Sequence, residues 1–263
     1  MKNIIDIYDT TLVEESILDN IENTMASGND ITIIADFVKN VLSNNPNKDV
    51  QQYINSSNDV LDTLIQFVLI DNIISCNNGE LVLDYEVFRK RPRTKDLDIR
   101  DYLSILYQGI FSFQLFIEPK KLPKGIKALT LKNVPNTDIA TITMIGDNNL
   151  STLDINHEGG KLNIVHSNSN KPIKLGKIIC GELFICGFTK INNIYPIGLS
   201  FKSGTVIDRL YLKSINCSKI TKIEGKDLNI GCICISSRVI KDIFTNIGFA
   251  LAGTDIEVIN RSL

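Results

Sequence analysis

The sequence predicts an α+β chain, with an α-rich N-terminal module carrying a β-hairpin over residues 1–118 and a β-solenoid over residues 119–263. Three observations carry this expectation. Apolar residues recur at helical spacing up to about residue 73 and then alternate as in strands. From Ile126 onward one apolar pattern returns at intervals of 18 to 30 residues. Charge changes sign between the two parts: residues 1–118 hold 9 Lys+Arg against 19 Asp+Glu, and residues 119–263 hold 19 against 11. The formal charge of −2 is therefore the sum of about −10 and about +8, which marks two modules with different surfaces.

The 263 residues, 43% of them hydrophobic and 22% charged, are enough for a sizeable core and exclude a disordered, collagen-like or disulfide-miniprotein chain. Trp is absent, while Ile occurs 42 times and Asn 27 times.

In chain order, residues 11–26 read as a helix, with Leu12, Ile17, Leu18, Ile21 and Met25 on one face and Glu14 and Glu15 in the first turn. A second helix is predicted over 31–43, where Ile34, Phe37, Val38, Val41 and Leu42 fall at i, i+3, i+4, i+7 and i+8. Residues 43–47, Ser-Asn-Asn-Pro-Asn, break it. A third is predicted from about 58 to 73, with a stripe of Leu61, Leu64, Ile65, Val68 and Leu69. Asn77-Asn78-Gly79 between two β-prone runs then predicts a hairpin, since Asn and Gly tolerate the positive φ that a tight turn requires.

Helices followed by a hairpin resemble the outline of a winged-helix domain, which implies DNA binding. The basic cluster Arg89, Lys90, Arg91, Arg93 and Lys95 supplies phosphate-binding candidates for that reading. The strongly acidic module around it opposes nonspecific nucleic-acid binding. The alternation of Phe111, Phe113, Leu115 and Ile117 predicts a closing strand.

In the second module the repeated unit is apolar-x-x-Leu/Ile-x-apolar, as in Ile126/Leu129/Leu131, Cys180/Leu183/Ile185 and Ile207/Leu210/Leu212. Weaker copies are anchored at Leu153, Leu228 and Ile256. Leu-x-Leu places two side chains on one side of a short strand. Ile pairs 139/142, 191/194, 220/223 and 240/243 are expected to form the opposite wall. Stacked units then bury a continuous core that one unit alone lacks. On residues 126–134 and 207–217 the region resembles leucine-rich repeat proteins, which implies a solenoid with a protein-binding face. The position commonly Asn or Cys in that family holds Val134, Phe188, Ile215 and Ile233 here. The stretch Leu12–Glu22 is similar to the openings of uncharacterised gut-bacteriophage proteins.

Chemistry-bearing motifs are absent: there is no GxGxxG after a strand, no GxxxxGK[ST], no GxSxG and no HExxH. The expectation is a non-enzymatic chain without a cofactor. His157-Glu158-Gly159-Gly160 reads as a turn between solenoid strands rather than a general base. The six cysteines lack paired CxxC spacing, so they read as buried small hydrophobes and no metal site is expected. Cys232 and Cys234 alternate with Ile233 and Ile235, which puts the two pairs on opposite faces. The start of the chain has no secretory pattern and no run suits a transmembrane helix. A reducing cytoplasm, or a host cytoplasm or virion for a viral chain, is therefore the expected setting.

The remaining candidate is surface. Thr130, Lys132, Phe184, Tyr211, Lys213 and Asn229 stand at expected outward strand positions. Phe184 and Tyr211, with Lys neighbours, suit interface anchors for a protein partner. A DNA-binding regulator using residues 89–95 is the alternative.

Overall fold

A computed structural model describes residues 28–56, 58–70, 72–86, 114–145, 149–167, 172–188, 198–212, 222–236 and 255–259. The expected helix 11–26, the phage-like stretch 12–22, the basic cluster 89–95, Lys213 and the Ile pairs 191/194 and 240/243 lie outside those residues. The chain divides into two compact units, Met1–Gln114 with Lys121–Val134, and Leu115–Lys120 with Pro135–Leu263.

The first unit opens with helix α1 (Ile31–Ser43). Asp30 caps it: its backbone is extended and its Oδ1 accepts from the Ile33 N–H at 3.0 Å. The predicted stripe is the buried face, with Ile34, Phe37, Val38, Val41 and Leu42 each at most 1% exposed. Helix α2 (Lys48–Ser56) follows at once, where the sequence offered only a breaker. Its sole buried residue is Val50, so its amphipathic signal is weak. Gln51 anchors it by donating from Nε2 to the carbonyls of Leu42, Ser43 and Asn45, which caps the end of α1. Helix α3 (Asn58–Ile70) buries Leu64, Ile65, Val68 and Leu69 and ends three residues before the predicted limit.

Strands β1 (Ile74–Asn77) and β2 (Glu80–Asp84) form the predicted hairpin. Asn78 at φ 52° and Gly79 at φ 80° make the turn. Gly79 is also fixed by contact. Its carbonyl accepts from Lys127 and Ala128, and an added Cβ would collide with the Gly125 carbonyl. Strand β4 (Ala128–Lys132) pairs parallel with β2, Leu81 beside Leu129 and Leu83 beside Leu131. The hairpin is thus built into a sheet through its second edge and is not a free wing, so the winged-helix expectation is not supported.

Residues 114–234 form a β-solenoid of about four turns. In the second unit β3 (Gln114–Ile117) pairs with β5 (Ile139–Met144), and β5 continues in parallel through β7 (Asp154–Ser167), β9 (Ile178–Phe188), β11 (Val206–Leu212), β13 (Asn229–Ser236) and β14 (Asp255–Ile259). A second parallel sheet runs β6 (Asn149–Leu150), β8 (Ile173–Leu175), β10 (Gly198–Ser200), β12 (Lys222–Glu224). Such runs bury both ends of every rung except the last ones.

The register corrects the repeat boundaries. Leu162, Leu183, Leu210, Ile233 and Ile256 lie side by side, giving steps of 21, 27, 23 and 23 residues. The anchors at Leu153 and Leu228 were therefore misplaced: Leu153 sits at a corner, and the unit read from Leu228 runs Ile230/Ile233/Ile235 in step with Ile207/Leu210/Leu212. The opposite wall is also different. Its buried row is Leu150, Ile173, Leu175, Leu199 and Ile223; of the three described members of the expected Ile pairs, Ile139, Ile142 and Ile223, Ile223 alone is placed there, and Ile220 lies outside the described residues. Ile142 is buried in the main sheet, and Ile139 is 44% exposed.

The x-x of the repeated unit has a physical cause. Cys180 and Leu183 are both buried although strict alternation would put them on opposite faces. Between them each strand has one residue outside the lateral pairing, Gly181, Asp208 or Gly231, and there it bends so that both flanking apolar residues stay inside. A Cβ on Gly181 would stand 2.9 Å from the Gly159 carbonyl oxygen, and one on Gly231 2.8 Å from that of Asp208. In β7 the bend is two residues longer, and the pairing shifts between His157 and Lys161. His157–Gly160 is thus the inside of one strand and not a turn between two, with the His157 ring buried.

At the corner entering each long strand, side chains complete the backbone. Asp154 Oδ1 accepts from the Lys177 N–H at 3.0 Å, and its carboxylate meets Lys202 Nζ at 2.9 Å. The buried Thr205 Oγ1 accepts from the Ile178 N–H at 3.1 Å and donates to the Lys202 carbonyl at 2.9 Å.

Candidate interaction surface

Past the bend, the residues alternating with the buried Leu and Ile rows face outward. Two laterally matched rows result. One runs Lys161, Glu182, Arg209, Cys232. The other runs Thr141, Asn163, Phe184 and Tyr211, and its next position, Cys234, is buried. Because parallel strands are spaced at about 4.8 Å, matched side chains touch.

The Phe184 and Tyr211 rings stack, with centroids 4.5 Å apart and planes 12° from parallel. Each is half-buried, leaving part of the stack for solvent. Such a pair adds about 0.5–1.5 kcal/mol beyond burial and presents a stiff apolar platform. In the neighbouring row the charges alternate as Lys161, Glu182, Arg209, which favours adjacent strands by roughly 0.2–1 kcal/mol per pair. Asn163 Nδ2 donates to Thr141 Oγ1 at 3.4 Å at the other end of the aromatic row. The face is therefore an aromatic strip bounded by polar and charged groups, suited to a folded or extended protein surface.

The candidate residues separate in the structure. Phe184 and Tyr211 come together as described. Asn229 is exposed but lies before the bend, in a row with Asn156, Ile179 and Val206, and so belongs to another stretch of surface. Thr130 and Lys132 belong to the first unit. Thr130 is only 7% exposed, and its Oγ1 donates to Glu80 Oε1 at 2.7 Å, which corrects its expected outward role. Lys132 is exposed and lies beside Asp84. Lys213 and the alternative set Arg89, Lys90, Arg91, Arg93 and Lys95 are outside the described residues.

Lys161, Asn163, Glu182 and Arg209 are the surface residues that sequence reasoning missed. Glu182 and Arg209 each precede an anchor leucine, and alternation alone assigns them to the face of Phe184 and Tyr211. Lys161 and Asn163 were hidden by the misplaced anchor at Leu153.

Cys76 and Cys180 are buried as expected. Burial, then the Asp208 charge, pushes the Cys180 thiol up to about 12, and burial with the Asp30 charge raises that of Cys76. Neither suits a nucleophile. The Cys232 and Cys234 Sγ atoms are 3.8 Å apart; Cys232 is partly exposed but Cys234 is buried like Ile233, so burial does not divide the Cys and Ile pairs as expected. Among the described residues no helix is long and apolar enough to cross a membrane.

No family model, curated protein or solved structure matches the chain.

Proposed function

We propose that the chain is a non-enzymatic binding module that docks a partner protein on the outward face of its β-solenoid. The observation carrying this reading is the stacked Phe184–Tyr211 pair beside the Lys161–Glu182–Arg209 row. Aromatic and Arg side chains on a rigid sheet lose little conformational freedom on binding, which is why they dominate interface energetics. The Leu-x-Leu strands that support a leucine-rich-repeat-like reading are the ones presenting this face. The DNA-binding alternative rests on residues 89–95, and no observation among the described residues favours it.

The test is affinity purification of the full chain and its variants, with partners quantified by mass spectrometry. Phe184→Ala or Tyr211→Ala should reduce a specific partner at least about tenfold, the effect of a 1.4 kcal/mol anchor. Val206→Ser, on an exposed site before the bend, should leave it unchanged. An identical partner set for wild type and all three variants contradicts the reading.

A further inference from the structure

The segment joining β3 to β4, residues 118–127, reads Glu-Pro-Lys-Lys-Leu-Pro-Lys-Gly-Ile-Lys, with four lysines in its last eight positions and no arginine or aromatic residue. Lys121, Lys124 and Lys127 belong to the first unit, and all three are exposed. Leu122 and Ile126 stand between them in sequence and are only half-buried. The partner-binding face does not use this segment.

The backbone of the segment is pinned at several points. Pro119 and Pro123 fix their own φ angles. The Ile126 N–H donates to the Pro123 carbonyl at 3.1 Å, which closes a turn with Lys124 and Gly125 at its centre. Gly125 packs so closely on α1 that an added Cβ would collide with Ile33 Cδ1. The N–H groups of Lys127 and Ala128 donate to the Gly79 carbonyl at 2.8 and 3.2 Å. The lysine backbones are therefore set before a partner arrives, and binding orders side chains alone. On the elements this segment touches, α1 and the β1–β2 hairpin, Asp30, Glu80 and Asp84 accept hydrogen bonds inside the unit, while Asp36 is exposed. Salt screens each charge beyond about 8 Å, so the local lysines outweigh the remote acids of residues 1–118 in setting the attraction.

The composition selects the partner. Surfaces that grip nucleic acid stack bases on aromatic rings and fork Arg onto phosphates, and this segment has neither residue type. A Lys ammonium is a compact, strongly hydrated charge on a flexible apolar stem, which suits a layer of mobile anionic headgroups. Leu122 and Ile126 add apolar contact between the charges, as segments lying in a membrane interface do. We propose that residues 121–127 attach the chain reversibly to the surface of an anionic phospholipid bilayer, without crossing it. The lysines supply the attraction and the two half-buried apolar residues the shallow insertion. This attachment is independent of the partner-binding face.

The experiment is cosedimentation of the full chain with phosphatidylcholine vesicles, with and without about 30% phosphatidylserine, at about 0.1 M salt. The expected result is binding to the phosphatidylserine vesicles at least about tenfold tighter than to phosphatidylcholine alone, with release at about 0.5 M salt. Lys121→Gln/Lys124→Gln/Lys127→Gln should lower the partition coefficient about a hundredfold, since each Lys at an anionic surface contributes about 1 kcal/mol. Circular dichroism establishes that the variant is folded. If it does not fold, Lys124→Gln alone, at the centre of the turn, carries the test with a loss of about fivefold. Binding of a short DNA duplex is measured in parallel and should be weaker than vesicle binding. Any of three results overturns the proposal: no phosphatidylserine-dependent binding, a partition unchanged in the folded lysine variant, or duplex binding that is tighter than vesicle binding and is lost in that variant.

Discussion

At the scale of single residues, the turn glycine Gly79 and the buried thiol of Cys180 make opposite kinds of demand. Gly79 needs both a left-handed backbone and an empty Cβ position. Gly79→Ala should therefore cost about 2–4 kcal/mol, combining left-handed strain with displacement of the 125–128 segment. Urea unfolding of the purified variant measures this, and a loss below about 1 kcal/mol would contradict it. Cys180 places its demand on pH. Its folded-state thiol titrates near 12, above the ordinary value of 9.0. The contribution is fully present below the unfolded pKa and is lost as pH rises through the folded one. Stability should therefore decline between about pH 9 and 12 more steeply in wild type than in Cys180→Ala. Parallel slopes in denaturant titrations across that window would show that Cys180 is not the cause. The turn was legible because Asn-Gly states its own geometry. The thiol's burial was legible from its place in the apolar repeat, but its Asp208 neighbour was not, since Asp208 is 28 residues away and meets it only through strand register.

Among the elements, the corners and caps explain which boundaries sequence patterns find. Helix α1 was legible in full because its apolar stripe is its buried face; the Asp30 cap was seen only in the structure. Helix α2 was not, because it buries one residue and is held by Gln51, whose hydrogen bonds reach back six to nine residues to another helix end. Gln51→Ala should cost about 1–2 kcal/mol by uncapping α1, measured by thermal or chemical denaturation. The solenoid corners pose a sharper contrast. The Asp154–Lys202 ion pair is part-exposed and worth at most about 1 kcal/mol. Asp154 also satisfies the Lys177 N–H, and Thr205 satisfies the buried Ile178 N–H. Thr205→Val should therefore cost about 1–3 kcal/mol, and Lys202→Ala less than about 1. If Lys202→Ala proves the more damaging, the corners are held by charge rather than by backbone satisfaction.

For the whole molecule, the repeat itself was legible as a recurring apolar pattern, while its phase was not. Ile is so frequent that Leu153 and Leu228 mimic anchors, and the long bend in β7 hides the true one at Leu162. Phase matters because it decides which residues share a face. Only with Leu183 and Leu210 side by side do Phe184 and Tyr211 stack. The alternating expectation of one outward face thus holds for Phe184 and Tyr211, and it fails for Thr130, whose hydroxyl is taken by Glu80 across a neighbouring strand. The most direct test of this register is a pair of engineered cross-links. Glu182 and Arg209 are laterally matched, at a strand spacing that a disulfide spans. Glu182→Cys/Arg209→Cys should form an intramolecular disulfide under mild oxidation, identified by peptide mapping, while the offset pair Glu182→Cys/Tyr211→Cys should not. Equal cross-linking of the two pairs, or preference for the offset one, would contradict it.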